Sequence, residues 1–114
     1  MKEFLFIIRG GQEKYESNSP EEMQKHMEHW QQWMGSLAQA GKLTGGQPLM
    51  SEGKTLIEGG AKVMDRPLAE GKELIGGYLL IKEESLSHAA ELAKNCPSLE
   101  YNCSIEVREI SPME

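Results

Sequence analysis

Apolar residues along the chain fall into blocks with two different periods. Residues 3–9, EFLFIIR, are apolar on both parities, the pattern of a strand buried on both faces. From Ser19 the period lengthens: Met23, Met27, Trp30, Met34, Leu37 and Ala38 recur at spacings of three and four. At about 100° per residue these positions form one stripe of a helix. Ser19 reads as its N-cap, Pro20 as its first residue and Glu22 as the acid of a capping box, while Gly41 ends it. Residues 42–50, KLTGGQPLM, predict a short strand interrupted by glycine, and residues 54–65, KTLIEGGAKVMD, a hairpin turning at Gly59-Gly60. A core strand follows over residues 73–84. Residues 85–97 predict a helix capped by Ser85 and ended by Pro97, with Leu86, Ala89, Ala90, Ala93 and Cys96 inward. The last strand, residues 103–110, alternates Cys103, Ile105 and Val107 on one face with Ser104, Glu106 and Arg108 on the other.

The resulting order, β-α-β-(β-β)-β-α-β, is an α+β, ferredoxin-like βαββαβ plan with an inserted β-hairpin, read as one domain over residues 1–114. Two helices cover one face of such a sheet. Because residues 3–9 and 73–84 are apolar on both parities, the other face needs cover too, from a partner chain or from the hairpin. A homodimer with two sheets face to face meets that need most simply.

Composition narrows the function classes. A chain of 114 residues buries roughly two thirds of its unfolded surface, enough for a core without metal or disulfide staples. The 18 acids against 12 bases give a net charge of −6, and no stretch clusters Lys and Arg with aromatics, so nucleic acid is not an expected partner. No segment is long and apolar enough to cross a bilayer. The apolar run before Arg9 is too short for a signal-peptide core, so the expected location is cytoplasmic. Cys96 and Cys103 are spaced C-x6-C, which with no export signal predicts free, buried thiols. Without export, Asn102-Cys103-Ser104 matches a glycosylation acceptor only by coincidence.

Several residues carry candidate chemistry. Asp65, ahead of Arg66-Pro67, has two readings of equal standing: a side chain capping its own turn, or a carboxylate facing a cleft. His26 lies about 60° from Met23 at the edge of the helical stripe and is expected half-buried. There it serves either as a general acid or base or as a boundary histidine satisfied by a backbone carbonyl. Glu22, His26 and His29 share the same helix edge, yet their spacing is no zinc signature and such an edge usually faces solvent. No metal and no cofactor are expected. Arg9 and Arg108 alternate onto strand faces where either can meet an anionic ligand. The stretch SEGKTL ends like a phosphate-binding loop but has Pro48 where the first glycine is required. His88 reads as a surface residue, and Trp30 and Trp33 as core residues before a cofactor box.

Four stretches together, MKEFLFIIRG, SPEEMQKHMEHWQQWMGSLAQAGKLTGGQPL, VMDRPLAEGKELIGGYLLIK and HAAELAKNCPSLEYNCSIEVREI, resemble the YCII-related proteins, and specifically the branch named for an Asp-Gly-Pro-Phe motif. The resemblance implies the dimeric α+β barrel fold, with a small cleft in each subunit. It also implies a suspected activity resting on a histidine and an aspartate. If the protein is an enzyme, His26 would be the acid or base and Asp65 its orienting or charge-balancing partner; beside them Arg66 and Arg9 are candidate anion contacts and Trp30 or Trp33 a wall for a small-molecule ligand. The competing class is a non-catalytic dimer that binds a metabolite or regulates another protein. The motif itself departs from the family, reading Asp65-Arg66-Pro67-Leu68. A residue before proline is pushed toward extended backbone, so Pro67 sets the bend and Arg66 puts a permanent cation beside Asp65.

Overall fold

A computed structural model of the chain describes residues 1–68 and 74–113. In chain order the elements are β1 (Lys2–Arg9), α1 (Gln12–Ser17), α2 (Pro20–Gln39), β2 (Leu43–Pro48), β3 (Thr55–Ile57), β4 (Lys62–Met64), β5 (Ile75–Glu83), α3 (Leu86–Ala93) and β6 (Ser104–Glu109). Single turns of 3-10 helix occupy Glu58–Gly60 and Pro97–Tyr101. Of the family-like stretches, residues 69–73 lie outside the described residues, as does the first residue of the strand expected over 73–84.

The main sheet is antiparallel and four-stranded, in the order β2-β5-β1-β6. With the hairpin set aside, this is the strand order of the ferredoxin-like α+β plan, and β3 pairs with β4 in a small separate sheet. Alternation divides the main sheet cleanly. Phe4, Phe6, Leu79 and Ile81 are buried on the helix side, with Phe4 opposite Ile81 and Phe6 opposite Leu79. Leu37 from α2 and Ala89 and Ala93 from α3 close this core.

The opposite face carries Leu5 beside Leu80 and Ile7 beside Tyr78, and these four side chains are only partly buried. Among the described residues no helix covers them: the molecule is 19 Å thick in its thinnest direction, room for one sheet and one helix layer. Its Cα radius of gyration, 15.6 Å, exceeds the roughly 13 Å of a compact chain this long. The hairpin forms a sheet of its own, with Leu56 and Val63 exposed.

Helix α2 has the predicted cap: the Ser19 hydroxyl accepts from the Glu22 N–H while the Glu22 carboxylate accepts from the Ser19 N–H. Four details differ from the sequence reading. The hairpin turns through Glu58–Gly60 with Glu58 at φ 54°, a longer turn than two glycines. A further helix, α1, follows β1, because Gly10 and Gly11 at φ 83° and 85° bend the chain sharply. The buried stripe of α2 is also turned toward His26 and Leu37, with Trp30 and Trp33 packed beside them, whereas Met27 and Ala38 are exposed. On α3, Ala89 and Ala93 are buried, but Leu86 and Ala90 face solvent.

Candidate functional site

The site begins with missing side chains. β2 and β5 meet with Gly46 opposite Leu79 and Pro48 opposite Gly77, so part of the sheet under α2 is bare backbone. A Cβ at Gly46 would come within 2.6 Å of the Leu79 side chain and 2.7 Å of the Tyr78 carbonyl, so the floor stays low only with glycine there. Met27, Trp30 and Met34 of α2 stand above this floor and α1 closes one end, leaving a cleft of about 520 Å³. Its wall is mostly apolar, with Gln12, Tyr15, Glu16 and Gln47 as polar groups.

Tyr15 links the cleft to the most polar part of the interior. Its hydroxyl lies 3.0 Å from Nε2 of His26, and burial pushes its pKa up to about 12. His26 is 2% exposed, more deeply buried than its place at the stripe edge suggested. Three contacts compensate its burial. The Trp30 indole N–H donates to Nε2 at 3.0 Å, and because an indole can only donate, Nε2 is the accepting nitrogen. That leaves Nδ1 to donate to Glu100, 3.3 Å away. The ring also stacks on Tyr101, centroids 3.8 Å apart. Glu100 reaches His29 as well, with its other oxygen 2.8 Å from Nδ1.

The remaining predicted residues are dispersed. Asp65 follows β4 on the hairpin, its side chain 85% exposed and paired with Lys54 at 2.5 Å. Arg66 is exposed, and its carbonyl accepts from the Thr55 hydroxyl. Arg9 pairs with Glu106 across β1 and β6. Trp30 lines the cleft, whereas Trp33 lines a shallow hollow with His29 and Glu100. Glu22 is taken up by its capping box and by Lys14, and among the described residues no cluster of three or more His, Cys, Asp or Glu could hold a metal ion. Cys96 and Cys103 are free and buried, and desolvation raises both thiol pKa values.

Sequence reasoning missed Tyr15, Glu100, Tyr101 and the glycine floor. The glycines at 45–46 and 76–77 were the available signal, but only strand pairing sets them side by side. Tyr15 sits in a six-residue helix, too short to show a hydrophobic period.

Compared with curated proteins, the chain finds no match. The model of the YCII-related domain matches residues 3–114, and the chain therefore belongs to the YCII-related family.

Proposed function

We propose that this protein, a single domain over residues 1–114, binds a small, largely apolar molecule in the cleft between α2 and the sheet. The observation that carries this reading is the cleft itself: about 520 Å³, walled by Trp30, Met27 and Met34, with a few polar groups at one end. Volumes and linings of this kind are usual for small-molecule sites. Its test is the binding of N-phenyl-1-naphthylamine, a neutral dye that brightens in apolar surroundings. We expect one dye per chain and loss of binding in Gly76→Leu, where a Cβ has room, its nearest neighbour being Gln12 Nε2 at 3.6 Å. Binding that survives this substitution would place the dye elsewhere and end the proposal.

The same reading includes a cytoplasmic homodimer of the Asp-Gly-Pro-Phe branch. The uncovered sheet face, with Leu5, Ile7, Tyr78 and Leu80, supports the dimer, since apolar sheet faces need cover. The free thiols of Cys96 and Cys103 fit a reducing compartment. Light scattering that returned the mass of one chain would remove the dimer.

A catalytic version has one observation in its favour, the hydrogen-bonded series from Glu100 through His26 to Tyr15 at the cleft. In it Tyr15 meets the ligand, His26 exchanges the proton and Glu100 balances the charge. Asp65 enters this version through family resemblance, as the alternative carboxylate. Glu100→Gln and Asp65→Asn, assayed for turnover of a ligand found by screening, separate the two; unchanged turnover in both would remove both carboxylates from the mechanism, and no turnover by the unsubstituted protein would leave it a binding module.

A further inference from the structure

We infer that the cleft selects a lipophilic amine, an alkylammonium group carried on an apolar or aromatic body. This rests on the small-molecule reading above and names the chemical class that fits it.

The charge of the cleft supports it. Among the described residues that line it, Glu16 is the one acidic side chain and no Lys or Arg is present, and Glu16 enters no ion pair among them. The bases of the neighbouring elements are already engaged: Lys14 with Glu22 at 3.1 Å and Arg9 with Glu106 at 2.5 Å. A carboxylate ligand entering here would meet Glu16 without a compensating cation, on a chain of net charge −6. An ammonium group gains that carboxylate and leaves its body among apolar side chains.

The aromatic lining adds a second attraction. Tyr15 and Trp30 both contribute to the wall, and their ring faces attract a cation through the quadrupole. Trp30 is held in place, since its N–H is used by His26 at 3.0 Å and its ring packs edge-on against Trp33, centroids 5.7 Å apart. The ring therefore meets a ligand without first being ordered. Gln12 offers a neutral amide whose carbonyl oxygen serves a remaining ammonium hydrogen.

The test uses three compounds of one shape, 4-phenylbutylamine, 4-phenylbutan-1-ol and 4-phenylbutanoate, as competitors for the bound neutral dye. The amine should displace it at a concentration about fivefold below that of the alcohol, the gain expected of one exposed ion pair with a cation–π contact. The carboxylate should need the highest concentration of the three. Glu16→Gln should reduce the amine's advantage over the alcohol to the smaller part that the aromatic rings supply. A carboxylate as potent as the amine, or an amine preference undiminished in Glu16→Gln, overturns the inference, and so does displacement by none of the three at millimolar concentration. Failure of the dye itself to bind is a different result and overturns the small-molecule reading beneath it.

Discussion

The imidazole of His26 lies flat on the phenol of Tyr101, ring centroids 3.8 Å apart and planes 14° from parallel. This contact joins the long helix α2 to the 3-10 turn that precedes β6, so one buried polar side chain ties two distant parts of the chain. Whatever His26 contributes to chemistry, it has a structural role that Asp65 lacks.

Removing that ring should therefore be costly. His26→Ala leaves a cavity and strips the acceptor from Trp30 and Tyr15, a loss of about 3 kcal/mol. Asp65→Asn touches only an exposed ion pair and should change stability by less than about 0.5 kcal/mol. Urea unfolding followed by circular dichroism measures both, and comparable losses would contradict the structural contrast between the two residues.

The buried carboxylate of Glu83 should make the fold sensitive to acid. It accepts from Lys42 Nζ at 2.8 Å and from the Glu84 N–H at 3.0 Å, and the Lys42 hydrogen bond first of all holds its pKa below the ordinary 4.5. A pKa depressed in the folded state gives stability that is complete above the unfolded value and lost as pH falls through the folded one. Glu83→Gln should lose about 1.5–3 kcal/mol at neutral pH and show a flatter urea midpoint on acidification. A wild-type midpoint that falls no more steeply than the variant's would count against the pair.

At the alkaline end Tyr15 sets the pattern. Its phenol pKa is pushed up to about 12, chiefly by burial, so it keeps its proton where an unfolded tyrosine has lost it. The stabilisation from this group is complete below pH 10.0 and disappears as pH rises toward about 12. Absorbance titration of tyrosinate should show one late step that is missing in Tyr15→Phe, and the variant should lose stability less steeply across that range.

Both thiols should be silent in the folded protein. Cys96 and Cys103 are 2% and 7% exposed, and desolvation keeps them protonated, which removes the reactive thiolate. A disulfide-exchange reagent should label neither in buffer and both in urea. Rapid labelling of either in buffer would show that its surroundings open readily.

Gly11 should tolerate no side chain. Its φ is 85°, and an added Cβ would run into Sγ of Cys103, so Gly11→Ala carries both backbone strain and overlap, about 2 kcal/mol or more. Because Gly11 starts α1, the same substitution should also weaken dye binding by moving Tyr15, read by dye titration beside urea unfolding.

Elements with local causes are legible in the order of the amino acids. Ser19, Pro20 and Glu22 set the start of α2 because a cap depends on four consecutive residues. The alternation of Cys103, Ile105 and Val107 oriented β6 because side-chain direction in a strand follows parity alone. The apolar residues on both parities of β1 marked a second sheet face, which carries Leu5 and Ile7 and which no helix covers among the described residues. The site, by contrast, comes from packing. Packing set Gly46 against Leu79 and Gly77 against Pro48, brought Tyr15 from a helix too short for a periodic signal, and gave His26 a carboxylate, Glu100, from the far end of the chain. These are long-range juxtapositions, fixed by strand pairing and helix packing, and no local period or spacing encodes them.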